Sequence, residues 1–362
     1  MHRCRSAGCP ARSTTTRRTQ RMLDQDLLPT PAEVDAQAPL SPPLRAAIAA
    51  HRETIAAVLD RRDPRLLVIV GPCSVHDPAA TLDYAHLVAG AAARFADDLV
   101  VVLRAYLEKP RTVAGWPGLV RDPTLDGKGD LAAGLRTGRA FLVEAAATGL
   151  PLAYEFVDPV LASHVADAIS WAAIGARTVT SPPHRQLASW LPMPVGMKNT
   201  VGGRVDLAID ALRAAGLPHV FPGIGRDGRV AALRSSGNPS AHLVLRGGPV
   251  PNYDAASVAA AANALTEAGL PSRVVVDCSH GNSGKDHNRQ PLVLADLADR
   301  IAGGDRVLAG LMLESYLSDG KQYPDAHPLR PDLSITDACL GWSRTVPLLE
   351  QLALAAKRRT AR

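Results

Sequence analysis

Eight short apolar runs recur along the chain, and Ala- and Leu-rich segments with a helical pattern fill the intervals between them. The runs are RLLVIVG at 65, DLVVVLRAY at 98, PLAYEF at 151, AIGARTVT at 173, MPVGMK at 193, HLVLRGG at 242, SRVVVDCSH at 272 and VLAGLMLES at 307. Strands that alternate with helices predict parallel β/α units. Eight such units favour an α/β fold of the closed (β/α)8 TIM-barrel type, with an open doubly wound sheet as the alternative.

The segments outside these units predict the remaining organisation. Residues 1–21 are rich in Arg, Ser and Thr and have no apolar period, so we expect a disordered basic tail. Residues 22–60 read as an N-terminal arm with a helix over about 44–59, and the barrel domain is predicted to span 61–362. Gly-rich turns around a short apolar run predict a β-ribbon at about 221–241, inserted before the sixth strand.

Composition narrows the class of protein. The chain is 46% hydrophobic and 21% charged, which is typical of a globular protein. Apolar runs stay well short of the roughly 20 residues of a membrane-spanning helix, and no secretory signal pattern opens the chain, so we predict a cytoplasmic protein. The formal charge of +5 equals the five arginines of residues 1–20, which argues against nucleic acid as a partner of the barrel. Five cysteines without a CxxC pair do not predict a disulfide framework.

Polar residues stand at, or just beyond, the ends of the eight apolar runs. Because a (β/α)8 barrel carries its active site at the C-terminal ends of its strands, these residues predict one converging site. The nine residues are Cys73, Arg104, Glu155, Arg177, Lys198, Arg246, His280, Glu314 and Asp337.

Four of the nine have the chemistry of metal ligands. Cys73 follows the first run, His280 the seventh and Glu314 the eighth, with Asp337 a little further on. In a closed barrel the eighth strand lies beside the first and the seventh, so these side chains can meet. A thiolate ligand argues against Mg²⁺ or Ca²⁺ and favours Mn²⁺, Fe²⁺, Co²⁺ or Zn²⁺. Any one of them taken alone would more often be a core or loop residue.

Six cations belong to the same set of strand ends. They are Arg104, Lys109, Arg111, Arg177, Lys198 and Arg246. Singly, each would be a solvated rim residue, but together around one mouth they require anions. With a divalent ion and four acids included, the excess is about +4, which two phosphates and a carboxylate would nearly balance. The sequence therefore predicts two phosphorylated substrates, at least one of them also an acid.

A series of ordered motifs carries a resemblance to a known family. The motifs are GPCSVHD, RAYLEKPRT, GWPGL, YEF, SWAAIGART, VGMKN, SSGN, LRGG, PNY, DCSHGNS, LESYL and SITDACLGW. From about residue 26 to 350 the chain resembles the type I 3-deoxy-D-arabino-heptulosonate 7-phosphate (DAHP) synthases, in their bacterial feedback-regulated branch. The resemblance implies a transferase that joins phosphoenolpyruvate to erythrose 4-phosphate in the first step of the shikimate pathway, on a barrel that depends on a divalent metal.

The resemblance also implies a role for each residue. It makes Cys73, His280, Glu314 and Asp337 the metal ligands. It assigns phosphoenolpyruvate to Arg104, Lys109, Glu155, Arg177, Lys198 and Arg246, and erythrose 4-phosphate to Lys109, Arg111, Thr112 and Asp337. As catalytic residues it indicates Lys109 and Glu155 for proton transfer and for the attacking water, beside the ligands Cys73 and His280.

Two other functions and the regulation stay open at this point. The sister 3-deoxy-D-manno-octulosonate 8-phosphate synthases share the chemistry, although the KPRT loop favours the shorter sugar; a non-catalytic, metabolite-sensing paralogue is the other alternative. The resemblance implies a homodimer or homotetramer and an aromatic amino acid effector. Asp158 fits the pattern of phenylalanine sensing, but Pro159, Ala162, Pro192 and Gly223 depart from it. A different aromatic effector, or insensitivity, fits these departures.

Overall fold

The fold is known from a computed structural model that describes residues 26–111, 115–326 and 328–361. The predicted basic tail, residues 1–21, and the predicted substrate residue Thr112 lie outside the described residues.

Eight parallel strands close into a barrel. In chain order the strands of the molecule are β1 (Leu66–Gly71), β2 (Leu99–Arg104), β3 (Leu152–Glu155), β4 (Trp171–Ile174), β5 (Val195–Lys198), β6 (Val220–Ile224), β7 (Val230–Arg234), β8 (His242–Leu245), β9 (Val274–Asp277), β10 (Leu308–Tyr316) and the short β11 (Leu340–Gly341). The barrel consists of β1 to β5 and β8 to β10, and it closes because β1 pairs with both β2 and β10. The predicted TIM barrel is confirmed, and the open sheet is excluded.

Helices surround the strands and begin where the sequence offers a cap. They are α1 (Pro31–Gln37), α2 (Pro42–Leu59), α3 (Pro78–Arg94), α4 (Leu131–Ala147), α5 (Pro182–Trp190), α6 (Asp206–Ala215), α7 (Ala255–Glu267), α8 (Gln290–Ala302) and α9 (Trp342–Thr360). The side chains of Ser41, Asp77 and Asp130 accept hydrogen bonds from the first turns of α2, α3 and α4. Such caps satisfy N–H groups that have no partner within the helix. Among the described residues, no helix combines the length and the apolarity needed to cross a membrane.

The barrel interior is apolar at the N-terminal end of the strands. Side chains alternate along a strand, so every second residue points inward. The inward set forms one buried cluster with the end of α2, whose Ile55, Val58 and Leu59 close the barrel from below. Within this end, which we call the floor, the indole Nε1 of Trp171 donates to His242 Nε2 at 3.1 Å.

The same alternation brings charge into the interior at the other end. Two residues further along the strand, the inward position is charged: Arg104 follows Val102 on β2, and Asp277 follows Val275 on β9. Glu155, Lys198 and Glu314 occupy the equivalent positions on β3, β5 and β10. These five side chains are buried. We call this end the mouth, and it is where the predicted site lies.

The insertion before the sixth barrel strand is an antiparallel ribbon. Strands β6 and β7 pair from Val220 with Arg234 to Ile224 with Val230. The tip of the ribbon touches the N-terminal arm, since Arg226 pairs with Asp35 of α1 at 2.5 Å. Asp35 also pairs with Arg139 of α4 at 3.0 Å. Arm, ribbon and barrel are therefore joined by charge as well as by packing.

Candidate active site

Cys73 lies at the centre of the mouth. It follows β1 by way of Gly71, which has a φ of 155°, and a β-carbon at Gly71 would come within 2.9 Å of Arg104 Cβ. A side chain at position 71 would therefore displace either strand. The thiol is fully buried, and Lys109 Nζ lies 3.1 Å from its Sγ.

Two carboxylates face the thiol. Cys73 Sγ lies 3.6 Å from Asp337 Oδ2, and the ligand atoms of Cys73, Glu314 and Asp337 all lie within 4.8 Å of one another. Gln290 holds the backbone of Glu314 with two hydrogen bonds, one at 2.9 Å to its N–H and one at 3.0 Å to its carbonyl. These three residues form a cluster that could hold a metal ion.

His280 lies against the same cluster. Its Nε2 is 3.6 Å from Glu314 Oε1. Its backbone has a φ of 55°, which is uncommon for a residue with a side chain, and the turn is closed by Lys285 N–H, which donates to the His280 carbonyl at 2.7 Å. Of the four residues predicted as ligands, the structure thus brings three within 4.8 Å of one another, and it places His280 beside Glu314 but outside that group.

The donor set suits a borderline metal. One thiolate, one imidazole and two carboxylates match the preferences of divalent transition metals better than those of Mg²⁺ or Ca²⁺. Burial and the charge of Glu314 raise the pKa of Cys73 to about 11, so the free thiol keeps its proton at neutral pH. A metal that binds here must replace that proton. Burial opposes ionisation of Asp337, but Lys109 and His280 hold its pKa below the usual value.

Arg104 joins the cluster to the cationic side of the mouth. Its guanidinium donates to Glu314 Oε1 at 3.1 Å and to the Pro72 carbonyl at 3.2 Å, and it lies 4.0 Å from the centroid of the Tyr106 ring. Although burial disfavours the charge, Tyr106 and Glu314 raise the pKa of Arg104, which stays a cation.

Lys198 and Glu155 lie deeper on the opposite wall. Lys198 Nζ is 3.8 Å from Glu155 Oε2. A β-carbon at Gly175 would come within 2.3 Å of Glu155 Oε1, so glycine at this position makes room for the carboxylate. Burial alone would raise the pKa of Glu155, but Lys198, Lys109 and Arg104 hold it below its usual value. Glu155 is therefore an ionised carboxylate and a weak base.

The remaining cations surround the entrance. A cavity of about 130 Å³ opens at the mouth, and its wall includes Lys109, Arg111, Glu155, Arg177, Lys198, Arg246, His280 and Asp337. Arg246 is buried and receives support from Asn199, which accepts from its backbone N–H at 2.8 Å. Arg111 and Arg177 are exposed at the rim, and Arg111 Nε donates to the Trp116 carbonyl at 2.9 Å.

Lys109 is held as a cation between the two sides. Burial favours its neutral form, but Cys73 and Glu314 oppose this and raise the pKa of Lys109 above its usual value. A protonated lysine donates hydrogen bonds and does not accept a proton. This ionisation state limits the roles open to Lys109.

Two residues of the site escaped the sequence prediction. Asp277 is fully buried beside Lys198 and His280, and Lys285 lines the cavity near Asp337. For Asp277 a signal existed, because it lies two residues after the inward Val275 on the same strand. For Lys285, in a turn with a φ of 64°, the sequence held none.

Cavity size alone would point elsewhere. A larger opening of about 640 Å³ lies between α2 and the loops that precede β5 and β8, at the N-terminal end of the barrel. Barrel chemistry occurs at the other end. The small cavity at the mouth is therefore the candidate active site.

A closed barrel with acids, a thiol and cations gathered at its mouth defines an enzyme of the (β/α)8 class. The chain belongs to the DAHP synthetase I family, whose profile matches residues 45–350. It is 46% identical over 334 residues to the Tyr-sensitive phospho-2-dehydro-3-deoxyheptonate aldolase of Salmonella typhimurium, covering 92% of this chain and 94% of that protein.

Two further relatives agree with this assignment. The Phe-sensitive phospho-2-dehydro-3-deoxyheptonate aldolase of Escherichia coli is 46% identical over 313 residues, which cover 86% of this chain and 89% of that protein. The solved structure of phospho-2-dehydro-3-deoxyheptonate aldolase from Francisella tularensis superposes with a TM-score of 0.91 at 39% identity, covering 92% of this chain and 98% of that one. The predicted family is confirmed.

Proposed function

We propose that the protein condenses phosphoenolpyruvate with erythrose 4-phosphate and water to give DAHP and phosphate, with a divalent transition metal held at the mouth of the barrel. The family assignment supports the DAHP-forming reaction, the first step of the shikimate pathway. It favours that reaction over the octulosonate alternative and over a non-catalytic paralogue.

One observation carries the proposed mechanism. The ligand atoms of Cys73, Glu314 and Asp337 converge within 4.8 Å of one another, and Lys109 Nζ lies 3.1 Å from the thiol. A potential metal site and a cavity lined by cations are therefore adjacent, with Lys109 between them and Asp337 common to both. A reaction between a polarised carbonyl and a phosphorylated nucleophile needs this adjacency.

Cys73, His280, Glu314 and Asp337 would hold the metal. When bound, it would act as a Lewis acid that makes the aldehyde of erythrose 4-phosphate more electrophilic. Residues of the chain then orient the two substrates, because the nucleophilic C3 of phosphoenolpyruvate must face the aldehyde carbon.

The cations of the inner wall fit phosphoenolpyruvate. Lys198 and Arg246 are buried, and Arg177 stands at the rim of the same cavity. Buried cations bind phosphate strongly because little water competes for them. Together with Arg104 they would fix the phosphate and the carboxylate, and they would stabilise the charge of the departing phosphate.

Lys109 and Glu155 have complementary tasks. Lys109, kept protonated by its acidic neighbours, would donate a hydrogen bond to the aldehyde oxygen as negative charge develops there. Glu155, kept ionised by Lys198, would accept a hydrogen bond from the water that attacks C2 of phosphoenolpyruvate. Because its pKa is low, Glu155 would orient this water more than deprotonate it.

The rim would receive the second phosphate. Arg111 is exposed beside Pro110 at the entrance of the cavity, on the side of Lys109. Arg111 and Thr112 would bind the phosphate of erythrose 4-phosphate, with Asp337 near the other end of the sugar.

A direct assay tests the proposal. Phosphate release and DAHP formation are followed with phosphoenolpyruvate and erythrose 4-phosphate, and arabinose 5-phosphate serves as the control sugar. We expect turnover with the four-carbon sugar, loss of turnover after chelation, and recovery with Mn²⁺ or Co²⁺ but not with Mg²⁺. Turnover that survives exhaustive chelation would contradict the metal, and a preference for arabinose 5-phosphate would contradict the substrate.

We also propose that an aromatic amino acid regulates the protein. A mostly apolar cavity of about 270 Å³ lies between the ribbon and α5, with walls from Pro159, Ala162, Trp190, Phe221, Gly223 and Leu233. Next to it, Asp158 pairs with Arg121 at 2.6 Å. Relatives named Tyr-sensitive and Phe-sensitive are both 46% identical to the chain over their matched lengths, so overall identity does not select the effector. Inhibition measured separately with Phe, Tyr and Trp identifies the effector. Activity that none of the three amino acids inhibits would contradict the proposed regulation.

Assembly into a homodimer or homotetramer is part of the same proposal. The N-terminal arm and the ribbon lie together on one side of the barrel, through Asp35 and Arg226. Sedimentation analysis with and without each amino acid measures the assembly, and a monomer at all concentrations would contradict it.

A further inference from the structure

Asp277 lies between the two halves of the site. It is fully buried at the end of β9. Its Oδ2 is 2.8 Å from His280 Nδ1 and 3.4 Å from Lys198 Nζ. One carboxylate oxygen therefore faces a candidate metal ligand and a candidate phosphate-binding cation at the same time.

The other oxygen of Asp277 fixes its orientation. Asp277 Oδ1 accepts from the backbone N–H of Ser279 at 3.0 Å and from its hydroxyl at 2.6 Å. Two donors on one oxygen leave the carboxylate little freedom to rotate. Oδ2 is thus held towards His280 and Lys198.

These contacts determine which nitrogen of His280 carries the proton. Nδ1 lies 2.8 Å from Asp277 Oδ2 and also 2.8 Å from Ser279 Oγ, whose own proton is donated to Asp277. Ser279 Oγ can only accept at this position, and Asp277 Oδ2 is a close negative charge that forms no aligned hydrogen bond, so both neighbours favour the proton on Nδ1. Nε2 then presents its lone pair towards Glu314, which is the form needed for metal coordination.

We propose that Asp277 is a positioning residue that sets the metal-binding tautomer of His280 and anchors Lys198, so that the metal end and the phosphate end share one support. The inference rests on the proposed function, since it assumes a metal at Nε2. Partners behind a histidine ligand usually tune metal affinity by about 10- to 100-fold.

Asp277→Asn is the decisive substitution. The two donors of Ser279 would keep the amide oxygen in the place of Oδ1, so the NH₂ group would take the place of Oδ2. That group would place donors instead of a negative charge beside His280 Nδ1 and the Lys198 ammonium. The substitution therefore reverses the contact at Oδ2 and changes the side chain by one atom only.

The experiment is a Co²⁺ titration of the full-length protein, followed through the absorption of the thiolate–Co²⁺ bond. Asp277→Asn should bind Co²⁺ about 10- to 100-fold more weakly than wild type. Asp254→Asn, which makes the same charge change at an exposed cap of α7, should match wild type. Circular dichroism and the unfolding midpoint confirm that each variant is folded.

Ser279→Ala keeps the inference testable where Asp277→Asn fails to fold. It removes one acceptor of Nδ1 and one restraint on Asp277, and Co²⁺ should bind at least about threefold more weakly. Wild-type affinity in a folded Asp277→Asn, or in Ser279→Ala, would overturn the inference. If the wild-type protein shows no thiolate–Co²⁺ band, the proposed metal site is contradicted, and the inference with it. If the wild-type band is normal and the variants bind Co²⁺ with wild-type affinity, only the inference is contradicted.

Discussion

The two ends of the barrel interior are built from opposite chemistry. At the mouth, Arg104, Glu155, Lys198, Asp277 and Glu314 are charged and buried. At the floor, the interior is apolar, and its polar pair, Trp171 and His242, is neutral and fully buried. The same eight strands form both ends, so the difference comes from the side chains at successive inward positions.

This contrast separates stability from chemistry. Burying a charge costs desolvation free energy, and the attraction to a buried partner of opposite charge offsets only part of that cost. Apolar contacts at the floor stabilise the fold without such a cost. The floor should therefore contribute much of the stability of the barrel interior. The mouth instead holds charged groups whose interactions with a substrate would be weaker in water.

Loss of the thiol should give the largest effect. Cys73→Ala removes the proposed thiolate ligand from the mouth, and we expect bound metal to disappear and kcat to fall about 10³-fold. Metal analysis and the DAHP assay measure the two losses together. Cys278→Ala is the matched control, because Cys278 is equally buried but is not among the three residues whose ligand atoms converge at the mouth. Equal losses in both variants would contradict the separation of mouth and core.

A substitution that creates a cavity at the floor should lower stability and leave activity nearly unchanged. Ile55 of α2 is fully buried against the interior cluster, and Ile55→Ala should lower the free energy of unfolding by about 3 kcal/mol. The kcat should stay within about twofold, since the mouth lies at the other end of the strands. Denaturant unfolding and steady-state kinetics provide the two measurements. A large fall in kcat with unchanged stability would sink the comparison.

Within the mouth, substitutions on different walls should affect the two substrates differently. Lys198→Ala and Arg246→Ala remove buried cations of the inner wall, and each should lower kcat/KM for phosphoenolpyruvate about 10²-fold. The KM for erythrose 4-phosphate should change much less. Initial rates with each substrate varied in turn give the comparison, and Arg111→Ala at the rim should show the opposite preference. Equal losses for both substrates would contradict the assignment of the two walls.

The strand positions of several residues at the mouth could be predicted because side-chain alternation along a strand is local and regular. Arg104 and Lys198 follow inward residues at a spacing of two, so their place needed no knowledge of the loops. The fourth strand was predicted too late along the chain, since the run that begins at 173 shares only two residues with Trp171–Ile174. Alanine and glycine in that run carry little strand preference, and the arginine and threonines after it belong to a turn.

What the sequence could not supply were contacts across loops. Asp277 was read as part of the strand, and its two partners come from β5 and from the turn after β9. Lys285 reaches the mouth through a turn closed onto His280, which no periodic pattern predicts. The ionised state of Glu155 depends on Lys198, Lys109 and Arg104, which come from two other strands and a loop.

The smallest expected effect is a difference between the two ends in how their contribution to stability depends on pH. Burial lowers the pKa of His242 to about 3, because His242 is enclosed at the floor while accepting from Trp171 and donating to the Ser240 carbonyl. The unfolded chain binds a proton at this histidine below about pH 6.5 and the folded chain does not, so its contribution to stability is complete above pH 6.5 and declines as the pH falls towards 3. Between pH 6.5 and 5 the loss is about 2 kcal/mol. His242→Gln, which stays neutral, should lack this part of the pH dependence.

The mouth responds in a lower window. Glu155 has a pKa below its usual value in the folded protein, so it stabilises the fold above about pH 4.5 and loses that contribution only as the pH falls further. The difference between the wild-type and His242→Gln curves from pH 7 to pH 5 therefore isolates the floor, because groups such as His76 and Glu108, whose pKa values burial also shifts, contribute to both curves alike. Parallel curves for wild type and His242→Gln over that range would show that His242 does not titrate as a buried neutral group, and the chemical contrast between the two ends would then be weaker than the contacts indicate.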